Sequence, residues 1–203
     1  MSIYHDNATA FFHQYETVTT ADVHRSWFAQ LPVAPSGNAL DIGAGSGRDA
    51  RFLASLGFRV TAVEPANALR EQAIAYGQQQ PAPKHKIEWL ADQLPSLTKV
   101  VGLQQSYDLV LLSAVWMHLT TQERALALPV LASLMAPDAL LVLTLRHGYF
   151  SDGRQSYPVS ADEILQLIQQ HHLPLTATLV TDLEPDTLGR SDVLWQTVAL
   201  KKE

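Results

Sequence analysis

The chain has 203 residues, of which 47% are hydrophobic and 17% charged, so it is long enough for one well-buried domain and short for two. Its formal net charge is −6 and no basic run occurs, which makes nucleic acid a poor partner. The absence of cysteine excludes disulfides, thiolate metal ligands and a cysteine nucleophile. Residues 1–7 lack a secretory pattern, and no apolar run approaches the ~20 residues of a membrane span. We therefore expect a single-domain cytoplasmic protein without a membrane partner.

The N-terminal segment predicts two amphipathic helices between Ala8 and Leu31, because aromatic and aliphatic residues recur there at three- and four-residue spacings. Thr19 and Thr20 mark a break and a possible N-cap. Pro32 and the turn Pro35-Ser36-Gly37 end the second helix. We expect residues 1–36 to form a helical cap on an α/β core over residues 37–203.

The stretch 38–50 predicts a strand, a tight turn and a helix. Gly43, Gly45 and Gly47 remove side chains where the backbone bends, and the start of the following helix offers unpaired N–H groups to a nucleotide-like ligand. The dinucleotide fingerprint is G-x-G-x-x-G, whose last glycine position is here Arg48. This spacing counts against a nicotinamide cofactor.

Strands and helices alternate along the rest of the chain. The continuous apolar run 107–113 predicts a central strand buried on both faces. Five strand-and-helix alternations followed by an antiparallel pair predict an α/β sandwich with a largely parallel sheet. The other predicted segments are helix 50–56 closed by Gly57, strand 59–63, helix 66–76 capped by Gly77, strand 87–90, helix 121–135, strand 139–145, a helix from the capping box Ser160–Glu163 to about Gln170, and strands 175–183 and 193–200.

Two acidic residues end neighbouring predicted strands. Glu64 follows the second strand, where a carboxylate can accept hydrogen bonds from ribose hydroxyls, and Asp92 follows the third, where it could accept from an adenine amino group. A solvated surface carboxylate is the alternative for Glu64, and an exposed loop aspartate for Asp92.

The segments 40–47 and 107–110, with Glu64 and Asp92, resemble motifs of the class I S-adenosylmethionine-dependent methyltransferases. The resemblance covers residues 38–146. It implies a Rossmann-like sandwich of seven mostly parallel strands with a C-terminal antiparallel hairpin, and S-adenosylmethionine as the cofactor. Further segments resemble a small bacterial subgroup related to tellurite- and thiopurine-type methyltransferases; they are 47–50, 116–119 and 146–148. Where many relatives have proline and two glycines, this chain has Pro137-Asp138-Ala139, which leaves the geometry of that turn open.

The resemblance also implies which residues contact the cofactor. The loop from Asp41 to Gly47 would contact its methionine part and sugar, and Glu64 its ribose hydroxyls. The complete predicted set is Tyr15, Asp41, Gly43, Ala44, Gly45, Gly47, Arg48, Glu64 and Pro65, then Asp92, Gln93 and Leu94 at the adenine, and Ser113, Ala114 and Trp116 on the methionine side. Tyr15 could form an aromatic lid with Tyr4 and Trp27, although Trp27 fits an ordinary core position better.

Methyl transfer does not require a dedicated catalytic side chain when the nucleophile is soft. Alignment of the nucleophile with the methyl group and exclusion of water are then sufficient. For a hydroxyl or amine acceptor, His118 is the best-placed general base, with a backbone-bonded loop histidine as the alternative. Arg146 could pair with an anionic acceptor, and the alternative is an arginine at a strand end that is solvated or paired with surface carboxylates. The adjacent His171 and His172 point in different directions, so we predict no metal.

The leading hypothesis is methyl transfer from S-adenosylmethionine to a small molecule. One alternative is a nicotinamide-dependent oxidoreductase, since the strand-turn-helix start and Glu64 suit that cofactor as well. Another is a non-catalytic module that binds S-adenosylmethionine. The acceptor pocket is expected from the N-terminal helices and the loops 147–159 and 184–192.

Overall fold

One mixed sheet forms the centre of the computed structural model, which describes residues 2–31 and 36–203. Its strands are β1 (Asn38–Ile42), β2 (Arg59–Val63), β3 (Glu88–Leu90), β4 (Tyr107–Ser113), β5 (Met135–His147), β6 (Leu175–Val180), β7 (Glu184–Pro185) and β8 (Leu194–Lys202). The order across the sheet is β3-β2-β1-β4-β5-β8-β6, and β7 pairs with β8. Strands β1 to β5 are parallel, whereas β8 is antiparallel to its three neighbours. The predicted α/β class with its antiparallel C-terminal pair is confirmed.

Helices cover both faces of the sheet. They are α1 (Ser2–Asp6), α2 (Ala8–Tyr15), α3 (Thr20–His24), α4 (Arg48–Leu56), α5 (Asn67–Gln78), α6 (Thr98–Gly102), α7 (Thr121–Leu134) and α8 (Ala161–Gln170), with 3-10 turns at Phe28–Gln30 and Trp116–His118. Within the two described ranges, none of these helices has both the length and the apolar character that a membrane crossing needs.

The side chains of β4 alternate between two separate apolar cores. Leu109 and Leu111 pack in one core with α4 and Trp27, and Val110 and Leu112 pack in the other with α6, α7 and α8. Because both faces are buried, the strand carries apolar residues in succession rather than in alternation. The central position predicted for this run is confirmed, and so is the core position of Trp27, which is fully buried.

The N-terminal segment contains three helices where two are predicted, because α1 precedes Ala8. Thr19 caps α3 as predicted, since its side-chain oxygen accepts a hydrogen bond from the N–H of Asp22. Helix α3 ends at His24, so the second predicted helix is much shorter than expected and continues as a 3-10 turn. The predicted breakers Pro32 and Pro35 lie outside the described residues.

The two glycines predicted to end helices behave differently. Gly57 ends α4 in the left-handed conformation, at φ +115°, as predicted. Gly77 instead lies inside α5, which continues to Gln78, so the prediction of a cap at this glycine is wrong. Its backbone stays helical, and its carbonyl accepts a hydrogen bond from the N–H of Gln80 at 3.2 Å.

Asp138 takes the conformation that a glycine would favour. Strand β5 begins at Met135, directly after α7, so Pro137 and Asp138 lie in an irregular part of the strand instead of a turn before it. Asp138 has φ +62°, which aspartate tolerates better than most residues, and its carboxylate pairs with Lys201 at 2.7 Å. The departure from a double glycine is therefore accommodated locally.

Helix α8 begins with half of the predicted capping box. The Ser160 hydroxyl accepts from the Glu163 N–H at 3.1 Å, but the Glu163 carboxylate accepts from Arg124 at 2.7 Å. The complete capping box belongs to α7, where Thr120 and Glu123 bond each other's backbone N–H groups. Both helices are thus fixed at the ends that face the 155–158 segment.

Candidate functional site

The glycine loop between β1 and α4 is held close to the sheet by its own backbone. The N–H groups of Gly43 and Ala44 both donate to the Val63 carbonyl, at 2.8 and 2.9 Å. Gly43, Gly45 and Gly47 all have positive φ, from +56° to +75°. A Cβ on Gly43 would lie 2.5 Å from Val115, so this backbone path requires glycine.

A cavity of about 480 Å³ opens at the carboxyl ends of the parallel strands, next to this loop. Its size is in the range of small-molecule and cofactor sites. The cavity brings together most of the predicted site residues: Tyr15, Asp41, Gly43, Ala44, Gly45, Arg48, Glu64, Pro65, Asp92, Gln93, Leu94, Ser113, Ala114, His118 and Arg146.

Two residues of the predicted cofactor set do not line the cavity. Trp116 is fully buried in the core under α7, because the 3-10 turn after β4 directs it away from the cavity. At Gly47, an added Cβ would meet the ring of Trp89 at 2.9 Å, so this glycine accommodates a packed side chain behind the loop.

The Glu64 carboxylate bridges the glycine loop and the start of α5. One oxygen accepts from the Gly45 N–H at 3.0 Å, and the other accepts from the Ala66 N–H at 2.8 Å. The residue is 6% exposed, and burial raises the pKa of its carboxyl. Glu64 is therefore a buried part of the cavity wall and not a solvated surface acid.

Asp41 is a buried carboxylate on the cavity wall with one oxygen, Oδ2, that has no hydrogen-bond partner among the described residues. Burial and the nearby negative charge of Asp49 raise its pKa well above the ordinary range. A buried acceptor without a partner costs free energy, so a donor group of a ligand would be favoured at this position.

The side chains of Arg48 and Asp92 form hydrogen bonds to other groups of the protein. Arg48 donates to both oxygens of Asp49, at 2.9 and 2.8 Å, and to the Tyr15 carbonyl. Asp92 accepts from the N–H groups of Lys99 and Val100, and thereby caps α6. Both residues line the cavity, but each also holds neighbouring elements together.

His118 forms a hydrogen-bonded pair with Tyr4. Its Nδ1 lies 2.7 Å from the Gln155 carbonyl, which can only accept, so Nδ1 carries the proton. Its Nε2 therefore accepts the hydroxyl proton of Tyr4, at 2.9 Å. Burial lowers the pKa of His118, which keeps the imidazole neutral at neutral pH, with no proton on Nε2.

Arg146 is almost fully buried at the end of β5, with 6% of its surface exposed. Its guanidinium donates to the carbonyls of Gly148 and Tyr149 and lies over the Phe150 ring, 4.0 Å from the centroid. The alternative of a solvated strand-end arginine is wrong.

A family model described as a methyltransferase domain matches residues 11–178. The chain belongs to this methyltransferase family. The match removes the support for a nicotinamide-dependent oxidoreductase. A comparison with curated protein sequences finds no match.

Three solved structures illustrate the fold that the methyltransferase shares. Magnesium protoporphyrin IX methyltransferase from Synechocystis, with bound S-adenosylmethionine, is 17% identical, with a TM-score of 0.69 over 95% of this chain and 80% of that one. TehB from Haemophilus influenzae is 15% identical, with a TM-score of 0.69 over 95% and 66%. The 1,6-didemethyltoxoflavin-N1-methyltransferase from Burkholderia thailandensis, with bound 1,6-didemethyltoxoflavin and S-adenosylhomocysteine, is 16% identical, with a TM-score of 0.68 over 99% of this chain and 88% of that one.

Several cavity residues of the methyltransferase are not predicted from the sequence. Arg154 and Phe150 come from the loop 147–159, and Asp186 and Arg190 from the loop 184–192. The sequence indicates that these loops contribute to the acceptor pocket, but neither loop has a periodicity that shows which side chains face inward. The four-residue spacing of Asp186 and Arg190 is the one sequence signal of an ion pair, which the structure forms at 2.7 Å.

We expect His118 to titrate below the ordinary histidine pKa of about 6.5, because burial disfavours the imidazolium. The unfolded chain then binds this proton at a higher pH than the folded chain, so His118 lowers the free energy of unfolding as the pH falls below about 6.5. Side-chain ¹⁵N NMR titration measures the pKa and the tautomer, with His118→Gln as the assignment control.

The variant Tyr4→Phe should raise the pKa of His118, because it removes a donor to the neutral Nε2. A pKa above about 6.5 in the unmodified protein, or a proton on Nε2 instead of Nδ1, would contradict the hydrogen-bonded arrangement.

Proposed function

We propose that this methyltransferase transfers the methyl group of S-adenosylmethionine to a small-molecule acceptor inside the cavity. The observation that carries the proposal is the convergence of the glycine loop, the buried Glu64 and the partnerless Asp41 oxygen on the same cavity as His118 and Arg146. These groups separate into a cofactor side near β1 and β2 and an acceptor side near the ends of β4 and β5.

The chain's own residues fit the proposed cofactor. Gly45 and Tyr15 both line the cavity, and because a Cβ on Gly45 would be only 3.0 Å from the Tyr15 ring, glycine keeps the loop from crowding that ring. The buried Oδ2 of Asp41 offers an acceptor to a donor such as an amino group. Glu64 holds Gly45 in place and lines the cavity at the end of β2, where a carboxylate can accept hydrogen bonds from ribose hydroxyls. When bound, S-adenosylmethionine supplies an electrophilic methyl group on a sulfonium.

The Tyr4 and His118 pair provides a route for a proton on the acceptor side. The nitrogen or oxygen of the methyl acceptor would lose its proton as it bonds to the methyl carbon. That proton would pass to the Tyr4 oxygen, and the hydroxyl proton of Tyr4 would pass to Nε2 of His118. The carbonyl of Gln155 continues to accept the Nδ1–H bond and so supports the imidazolium that results. His118 thus acts as a base through Tyr4 and does not need direct contact with the acceptor.

Calorimetric titration with S-adenosylhomocysteine tests the cofactor side, and we expect a Kd in the micromolar range, about −8 kcal/mol. A titration with NAD is the control and should show no heat of binding. Absence of S-adenosylhomocysteine binding at millimolar concentration would overturn the proposal.

A homocysteine-release screen over thiols, amines, carboxylates and oxyanions then distinguishes an enzyme from a non-catalytic binding module. Turnover with at least one acceptor class supports the enzyme. Cofactor binding with no turnover over the whole panel supports the module instead.

The remaining features of the proposal come from the sequence. We propose that residues 1–203 act as one domain, with 1–36 as a cap, and that the protein works in the cytoplasm on a small molecule and not on nucleic acid. Fractionation of cells that express a tagged chain tests the location.

A further inference from the structure

Among the arginines that line the cavity, Arg146, Arg154 and Arg190 come from β5 and the loops 147–159 and 184–192, and only the last two have a carboxylate partner among residues 2–31 and 36–203. Arg154 pairs with Asp152 at 2.8 Å, and Arg190 pairs with Asp186 at 2.7 Å. Arg146 has no carboxylate oxygen of the described residues within 4.0 Å of its guanidinium, and it donates only to backbone carbonyls.

The positive charge of Arg146 is both buried and poorly compensated. The residue is 6% exposed, and its Nε has no hydrogen-bond partner within the described ranges. Burial and the positive charges of Arg190 and Arg154 lower its pKa, while Asp192 and Asp186 act in the opposite direction to a smaller extent. An uncompensated buried charge is costly, so a negative group brought into the cavity would be strongly favoured near it.

Phe150 contacts two of the guanidiniums. The guanidinium carbons of Arg146 and Arg154 lie 4.0 and 3.9 Å from the centroid of the Phe150 ring, and the His118 ring stacks on it with centroids 5.4 Å apart. The ring attracts each cation through its π face, but the two cations repel each other. Both positive charges therefore lie next to the ring on which His118 packs.

We propose that the acceptor is a small organic anion, an aromatic acid whose carboxylate or phosphate is held at Arg146 and Arg154. The inference rests on the proposed function of the cavity. The guanidinium fork matches the planar carboxylate and the phosphate equally well. Tyr4, Phe150 and Trp195 give the same part of the cavity aromatic walls that suit a ring on the acid. The group to be methylated then lies toward the Tyr4 hydroxyl.

Calorimetry on the protein saturated with S-adenosylhomocysteine tests this proposal with three probes: benzoate, phenyl phosphate and neutral benzamide. We expect at least one anion to bind more than about 10-fold more tightly than benzamide, and the difference between benzoate and phenyl phosphate identifies the preferred oxyanion. Arg146→Gln should remove this preference, and Arg146→Lys should keep part of it. Arg59→Gln, at an exposed arginine on β2, is the matched control and should bind as the unmodified protein does.

The outcomes separate the two proposals. If S-adenosylhomocysteine does not bind, the proposed function fails. If it binds but neither anion binds more tightly than benzamide, or the anion preference persists in Arg146→Gln, the acceptor proposal is overturned. Should circular dichroism show that Arg146→Gln is unfolded, Arg154→Gln replaces it, and an unchanged preference for anions in that variant overturns the proposal equally.

Discussion

Replacing Gly45 with valine should abolish binding of S-adenosylhomocysteine, with Kd raised more than about 100-fold. Gly45 has φ +56°, a conformation that β-branched residues rarely adopt. Its Cβ would lie 3.0 Å from Cδ2 of Tyr15, and valine adds two methyl groups beyond that point. The side chain would occupy the proposed cofactor space and displace the Gly45 N–H that Glu64 accepts at 3.0 Å. Calorimetric titration measures the affinity, and circular dichroism checks the fold.

The matched control for Gly45→Val is Gly102→Val. Gly102 ends α6, where no atom of the described residues lies within 4 Å of an added Cβ and φ is not positive. We expect this variant to keep the affinity within about twofold of the unmodified protein. If Gly45→Val instead bound S-adenosylhomocysteine with unchanged affinity, the assignment of the cofactor to this loop would be wrong.

The sequence predicts those parts of the fold that are determined within a single helix or strand. The run 107–113 indicates a doubly buried strand because Tyr107 and residues 109–112 each pack in one of the two apolar cores. Gly57 indicates a helix end because the chain there needs positive φ. The same reasoning fails at Gly77, which lies inside α5. The sequence alone does not distinguish a glycine within a helix from one that caps it.

The site is predictable in its position but not in its pairings. Strand ends bring Glu64 and His118 to one edge because parallel strands all terminate there. The hydrogen-bond partners of each side chain depend on the conformations of loops, which the sequence pattern does not determine. Nothing in the sequence therefore indicates that Asp92 caps α6, or that the proton-accepting nitrogen of His118 faces Tyr4. In both contacts, the two residues come close to each other only when the helices pack on the sheet.

Replacing Arg124 with methionine should destabilise the protein by about 2–3 kcal/mol, less than the loss of a fully buried ion pair because the Glu163 side chain is 21% exposed. Arg124 is 1% exposed and bonds the Glu163 carboxylate at 2.7 Å, the Pro158 carbonyl at 2.8 Å and the Trp116 carbonyl at 3.2 Å. The variant leaves these acceptors without their donor at the junction of α7, α8 and the 155–158 segment. Because that segment supplies the Gln155 carbonyl to His118, the same change should weaken the Tyr4–His118 pair.

Chemical denaturation measures the free energy of unfolding for Arg124→Met, and Arg25→Met is its matched control. Arg25 is paired with Glu184 at 3.5 Å, but the two side chains are 69% and 44% exposed. An exposed pair contributes little, so the control should change the stability by no more than about 0.5 kcal/mol. A loss in Arg124→Met as small as that of the control would mean that water replaces the guanidinium at all three acceptors. The 155–158 segment would then be held by the packing of α7 against α8, and the geometry of His118 would depend on that packing instead of on Arg124.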